Sequence, residues 1–247
     1  MSPGGGPRIV LDFEGVICDS AHECRLIAWL GGHPPGQAPV SSYAMAIPPG
    51  FTARFGRIFP YARQLEHFML AHQPCAEDIR SRAEFEEAFA AIPAPEVAAF
   101  AGEALAARRR FRTEEPDSWA SLHPLYPGVA QVLRAHPGAF AVATARDEQS
   151  VRAVLDHHEL GRAVAEIAGG CQDKAGFVLD LCERHGLAAE EMAFVDDNIR
   201  NVAAVAATGA SAHWAMWGHR MPEDLAVART AGIDRLELAE LDWLARC

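Results

Sequence analysis

The sequence predicts an α/β fold, a Rossmann-like parallel sheet interrupted by an inserted helical domain. Three observations predict it. Short apolar runs of strand length alternate with amphipathic segments over residues 124–247, the pattern of successive β-α-β units. A lone apolar run of the same kind, Arg8–Phe13, stands far upstream of the others. Between them, from about Phe59 to Arg112, apolar residues recur only at the i, i+3, i+4 spacing of helices.

Met1–Pro7 is rich in Gly and Pro and is expected to be loose. Arg8–Phe13 (RIVLDF) reads as a short buried strand with an acid near its end, followed by a helix through Ala21–Leu30. That helix should stop at Gly31–Pro39, where six of nine residues are Gly or Pro. Three helices are marked by Leu65, Phe68 and Met69, by Phe85, Ala88, Phe89 and Ile92, and by Val97, Phe100, Ala101, Ala104 and Leu105. Thr113–Pro124 reads as the return linker, and Pro127-Gly128 opens a helix over Val129–Ala135. Strands are then expected at Ala139–Thr144, Val164–Ala168, Met192–Asp196 and Ser211–Met216. Helices Glu148–His157, Lys174–His185 and Val202–Ala207 separate them. The first strand belongs to the same sheet, so the helical stretch is an insertion and two compact units are expected.

At 247 residues, 50% apolar and 22% charged, the chain has ample material for a core. The net charge of -11 opposes the phosphate contacts of general nucleic-acid binding, so neither nucleic acid nor an anionic membrane surface is an expected partner. No apolar run reaches the ~18–20 residues of a membrane span, and no secretory signal is read at the N-terminus. The six cysteines (Cys18, Cys24, Cys75, Cys171, Cys182, Cys247) lack metal-binding spacing, which points to reduced thiols and a cytoplasmic location. Lys174 is the chain's only lysine beside 21 arginines, which suggests that this position needs an ammonium group.

Asp12 with Glu14, Thr144, Lys174, and Asp196-Asp197 all fall at expected strand ends or helix starts. In a parallel sheet those ends converge on one crevice. Carboxylates without His or Cys are hard oxygen ligands that favour Mg²⁺ beside a substrate phosphate. A carboxylate can also attack phosphorus. Blander roles exist: Asp196-Asp197 and Thr144 suit helix N-caps as well.

The order and spacing of these segments resemble the haloacid dehalogenase (HAD) superfamily across the whole core. LDFEGVICDS looks like its motif I, AFAVATARD its motif II, Lys174 in CQDKAGFVLDLC its motif III and AFVDDNIRNVAAVAATG its motif IV. The resemblance implies Asp12 as nucleophile, Thr144 as phosphoryl ligand and Lys174 as the neutraliser of nucleophile and phosphate charge. It implies Mg²⁺ held by Asp12 and Asp197, with the Glu14 carbonyl as a further ligand and Asp196 behind them or bound through water. Ala145 and Arg146 would join Thr144 and Lys174 around the substrate, although as loop residues Arg146 and Asp147 also read as solvated. Asn201 stands where many members carry another acid, and Asn198 lies in the same region. The implied division is a core of residues 1–19 and 124–247 with a helical cap of residues 20–123, a cap of the kind that closes over small substrates.

One position departs from the pattern. Family phosphatases place an aspartate two residues after the nucleophile as general acid and then base, and here it is Glu14. Its extra methylene extends the carboxylate by ~1.5 Å, where ~1 Å of misplacement can cost on the order of 100-fold. Either the backbone re-aims Glu14 or catalysis is weakened. The expected activity is a Mg²⁺-dependent phosphatase acting on a small phosphorylated metabolite. The alternatives are a phosphotransferase or mutase, or an inactive protein that binds a phospholigand or a partner. A phosphonatase would need a cap lysine, and residues 20–123 contain none. In the insert, Arg108, Arg109, Arg110 and Arg112 suit either the end of a helix or an anion-docking patch. His22, Glu23, Arg54 and Arg57 are pocket candidates that equally suit structural roles, and Cys18 reads as core packing.

Overall fold

The computed structural model describes residues 6–221 and 223–246. The reading of the first residues as loose therefore lies, for Met1–Gly5, outside the described residues, as does Cys247. The chain forms two compact units, Met1–Asp19 with Pro124–Cys247, and Ser20–His123.

The first unit is built on six parallel strands: β1 (Ile9–Leu11), β2 (Phe140–Ala143), β3 (Val164–Ala168), β4 (Ala193–Asp196), β5 (Ser211–Ala215) and β6 (Asp234–Leu236). Their order is β3-β2-β1-β4-β5-β6. Central strands of such a sheet are covered on both faces and read as continuous apolar runs, and β1 (IVL) and β2 (FAVA) are buried at every residue. The edge strands are more polar. β6 (DRL) buries only Leu236, and with one apolar residue it carries no strand periodicity, so the sequence reading lacked it. Behind the sheet, Val178, Leu181 and Cys182 of one helix and Ile199, Val202 and Val205 of the next pack with Val10, Phe194 and Trp214.

This order places the chain reversal beside β1: the chain proceeds outward to β2 and β3 on one side and to β4, β5 and β6 on the other. Such a switch point leaves a crevice at the carboxyl ends of β1 and β4. Capping then fixes what faces it. Asp173 accepts from Gly176 N at 2.9 Å and starts the helix at Lys174, while Gly186, at φ +64°, ends it in the left-handed conformation. Asn198 opens the helix Ile199–Ala206, three residues before the expected start at Val202.

Among the described residues of the second unit, only helical segments occur: α-helices Ala21–Gly32, Pro49–Ile58, Arg82–Ala90, Ala94–Glu114 and Pro116–Ala120, with 3₁₀ turns between. The segment expected as a helix at Leu65 is 3₁₀ over Leu65–His72, where the three-residue spacing of Leu65, Phe68 and Ala71 matches the tighter period. Arg82–Ala90 begins with a Ser81/Glu84 capping box. The expected linker Thr113–Pro124 instead contains the end of one helix and the short helix Pro116–Ala120, because Trp119 is fully buried. No single helix among the described residues is long and apolar enough to cross a membrane.

The arginine run divides: Arg112 lies in the last turn of its helix, as the helix-end reading expects, whereas Arg108 and Arg110 take roles that neither reading offered. The helix continues to Glu114, so Arg108 and Arg110 lie before its last turn. Arg108 makes a two-point ion pair with the fully buried Glu23, Nε–Oε1 2.7 Å and Nη2–Oε2 3.0 Å, and Trp119 Nε1 donates to the same carboxylate at 3.2 Å. Arg110 donates to the carbonyls of Gly36 and Ala38 and so ties down the Gly/Pro loop. Arg54 bonds Ala71 O and pairs with Glu77, and His22 contacts Arg25. Arg57 and Arg109 are exposed.

Removing one partner from a buried ion pair strands the other. Glu23→Ala should therefore lower unfolding stability by about 3–5 kcal/mol in urea melts, and Glu23→Met with Arg108→Met should recover most of it. A single-variant loss below about 1 kcal/mol would show that the pair does not hold this unit.

Candidate active site

Asp12 follows β1 directly. Its N–H donates to Val195 O at 2.9 Å, keeping it in register with β4, and its Oδ1 accepts from Phe13 N at 2.7 Å. The chain then turns back tightly: Gly15 N donates to Cys18 O, and Ile17 N and Cys18 N both donate to Phe13 O. Gly15 sits at φ +83°, a conformation that glycine adopts without a Cβ penalty. Cys18 is buried in this turn.

Lys174, the first residue of its helix, reaches two carboxylates. Its Nζ lies 2.9 Å from Asp12 Oδ2 and 2.7 Å from Asp196 Oδ2. Asp196, at the end of β4, is fully buried and also accepts from Asn201 Nδ2 at 2.9 Å and from Asn198 N at 2.7 Å. Oxygens of Asp12, Asp196 and Asp197 lie within 4.8 Å of one another. Burial pushes the Asp12 carboxyl well above the usual carboxylate range; Lys174 opposes this, while Asp196 and Asp197 add to it. Lys174 is itself held above its ordinary value, because the Asp12 and Asp196 carboxylates overcome its burial. Three carboxylates and one ammonium leave the cluster negative on balance, a donor set of hard oxygens suited to a divalent cation.

Asp197 is held by backbone packed against it. Its Oδ2 accepts from His219 N at 2.7 Å and its carbonyl from Trp214 Nε1 at 2.8 Å. Trp217 Nε1 donates to Val16 O at 3.0 Å, tying the segment after β5 to the turn after β1. Two glycines make room. A Cβ on Gly15 would stand 2.0 Å from Asp197 Oδ2, and one on Gly218 would stand 2.3 Å from Gly15 O and 2.4 Å from Asp197 Cβ. The alternative helix-cap role for Asp196-Asp197 is filled by Asn198, whose side chain accepts from Arg200 N.

Thr144 follows β2 and is buried; its Oγ1 accepts from Arg146 N at 3.2 Å. Asp147, not Thr144, caps the next helix. Ala145 is exposed. Arg146 differs from the solvated reading: its side chain is 2% exposed, and its Nη2 bonds Glu14 Oε1 at 2.6 Å. Glu14, 31% exposed, is the more open partner of this pair. The structure brings Asp12, Lys174, Asp196 and Asp197 into one cluster and links Glu14 to the loop that carries Thr144. The sequence reading lacked the Trp217–His219 segment and the Arg146–Glu14 pair. The first carried a signal in Gly218 beside aromatic and basic residues just past a strand. The second joins loops 132 positions apart and carried none.

Overpacking a filled site costs about 1–3 kcal/mol. Gly218→Ala should lower stability by that much in denaturant melts, since the two nearest of the three atoms its Cβ meets are backbone and the root of Asp197, and the third is Asp197 Oδ2 at 2.7 Å. An unchanged melt would show that this approach is not a constraint.

A family model described as haloacid dehalogenase-like hydrolase matches residues 8–209. A phosphoglycolate phosphatase from Aliivibrio fischeri is 30% identical over 127 residues, which are 48% of this chain and 56% of that protein, so the match spans little more than half of that relative. The structure of a predicted phosphoglycolate phosphatase from Haemophilus somnus superposes with a TM-score of 0.61 at 17% identity, covering 98% of this chain and 99% of that one. A haloacid dehalogenase-like family hydrolase from Streptococcus pneumoniae superposes with a TM-score of 0.58 at 15% identity, covering 100% and 99%. At these identities the two structures show a shared fold. With the model match spanning most of the chain, this protein belongs to the haloacid dehalogenase-like hydrolase family.

Proposed function

We propose that the chain is a Mg²⁺-dependent phosphatase that hydrolyses a small phosphorylated metabolite through an aspartyl-phosphate. The observation that carries this reading is the single ammonium of Lys174 between Asp12 and Asp196, with Asp197 beside them at the sheet's switch point. The similarity to a relative named phosphoglycolate phosphatase supports a phosphate monoester as substrate.

Asp12 Oδ attacks phosphorus, and the bond from phosphorus to the leaving oxygen breaks as Glu14 gives that oxygen a proton. Glu14 then takes a proton from water as the water oxygen attacks the same phosphorus. The bond to Asp12 breaks, which releases inorganic phosphate and restores both carboxyl groups. Lys174 holds Asp12 in place and offsets charge on the transferred group, and Thr144 Oγ1 donates to a phosphoryl oxygen. Mg²⁺ would be held by the Asp12 and Asp197 carboxylates and the Glu14 carbonyl, with Asp196 behind them, and would supply positive charge to the phosphoryl oxygens.

Phosphate release from a panel of phosphorylated metabolites that includes phosphoglycolate tests this reading. Release should require Mg²⁺, disappear with EDTA, and fall on the order of 10³-fold or more in Asp12→Asn. Equal release by the Asp12→Asn protein, or none from any ester, would sink the phosphatase reading, and the second result would turn attention to phospholigand binding.

A further inference from the structure

The loop after β2 holds more than Thr144. Arg146 N bonds Thr144 Oγ1 at 3.2 Å, and Arg146 O accepts from Gly170 N at 2.8 Å, so the residue is fixed at both ends of its backbone. Its guanidinium is buried and points at Glu14, with Nη2 to Oε1 at 2.6 Å. Burial of the side chain leaves it no open face toward a dissolved ligand. The carboxylate it meets is the more open partner.

A glutamate carries one more rotatable bond than an aspartate, and its carboxylate sweeps a larger volume. Proton transfer demands hydrogen-bond reach to both the leaving oxygen and the incoming water, and freedom of that size works against both. We propose that Arg146 is a positioning residue that pins the Glu14 carboxylate for its two proton transfers, and is not a substrate contact. The inference rests on the phosphatase reading with Glu14 as acid and base. The charge-assisted hydrogen bond from Nη2 fixes where Oε1 sits.

p-Nitrophenyl phosphate separates the two half-reactions. Its phenolate leaves with little need of a proton, so release of the first equivalent reports attack by Asp12, whereas steady turnover needs Glu14 to activate water. In Arg146→Met with Mg²⁺ present, the first turnover measured by stopped flow should stay within about 3-fold of the parent, while kcat falls on the order of 100-fold and aspartyl-phosphate accumulates. Arg146→Lys should recover part of the kcat. In a Glu14→Gln background, Arg146→Met should cost less than about 3-fold further. A raised KM at unchanged kcat would make Arg146 a substrate contact and overturn the proposal. Equal loss in both phases, or the same loss with and without Glu14, would assign it a structural role and overturn it as well. A parent protein that releases no nitrophenolate would bring down the phosphatase reading together with this inference, whereas an active parent with any of the other patterns would bring down the inference alone.

Discussion

The constraint on which the core depends is the meeting of three carboxylates in one largely buried crevice with a single lysine among them. Like charges at this separation repel strongly once water is removed. The protein answers with directed hydrogen bonds: Lys174 bridges Asp12 and Asp196, while Asn201 Nδ2 and Asn198 N bring further donors to Asp196. Each of these groups is delivered by a helix start or a strand end, so the charge problem and the fold are solved by the same elements. Asp173 caps the helix at the residue where Lys174 must begin it, and Asn198 both caps the next helix and donates its N–H to the carboxylate. A shift of one residue at either cap would point a different side chain at the crevice.

The second answer is steric. Asp197 is packed against Gly15 and Gly218 so closely that neither position has room for a Cβ. The turn after β1 and the segment after β5 therefore meet across Asp197, and Trp214 and Trp217 lock that contact through their indole N–H groups. Packing of this density makes a carboxylate rigid in a place where electrostatic repulsion alone would push it away.

The sheet was legible in the sequence wherever strands are buried on both faces. β1, β2 and β4 are continuous apolar runs, and chemistry-bearing residues stand at their ends, so both their place and the meeting of Asp12 with Asp196 could be read. β6 was not legible, because an edge strand of Asp234, Arg235 and Leu236 relies on pairing with β5 and not on its own pattern. Pro49–Ile58 was hidden by Pro48-Pro49-Gly50, which reads as a turn although proline is at home in the first turn of a helix. Glu23 and Arg108 lie 85 positions apart, and nothing local to either marks a buried pair. Long-range polar contacts are the class of feature that periodicity does not report.

Glu14 shows the same division between local and long-range information. Locally it is a departure, one methylene too long for the place an aspartate would fill, and the sequence leaves open whether the backbone compensates. The partner it meets in the fold lies 132 positions away, an arginine that reads in the sequence as a loop residue open to solvent. Once β1 and β2 pair in parallel, with Leu11 opposite Val142, the loops that leave them are neighbours, and Arg146 can bury its guanidinium against the Glu14 carboxylate. A shorter acid at position 14 would have to reach that guanidinium without the extra methylene. The longer acid and the buried arginine therefore meet in one charge-assisted hydrogen bond that joins the turn after β1 to the loop after β2.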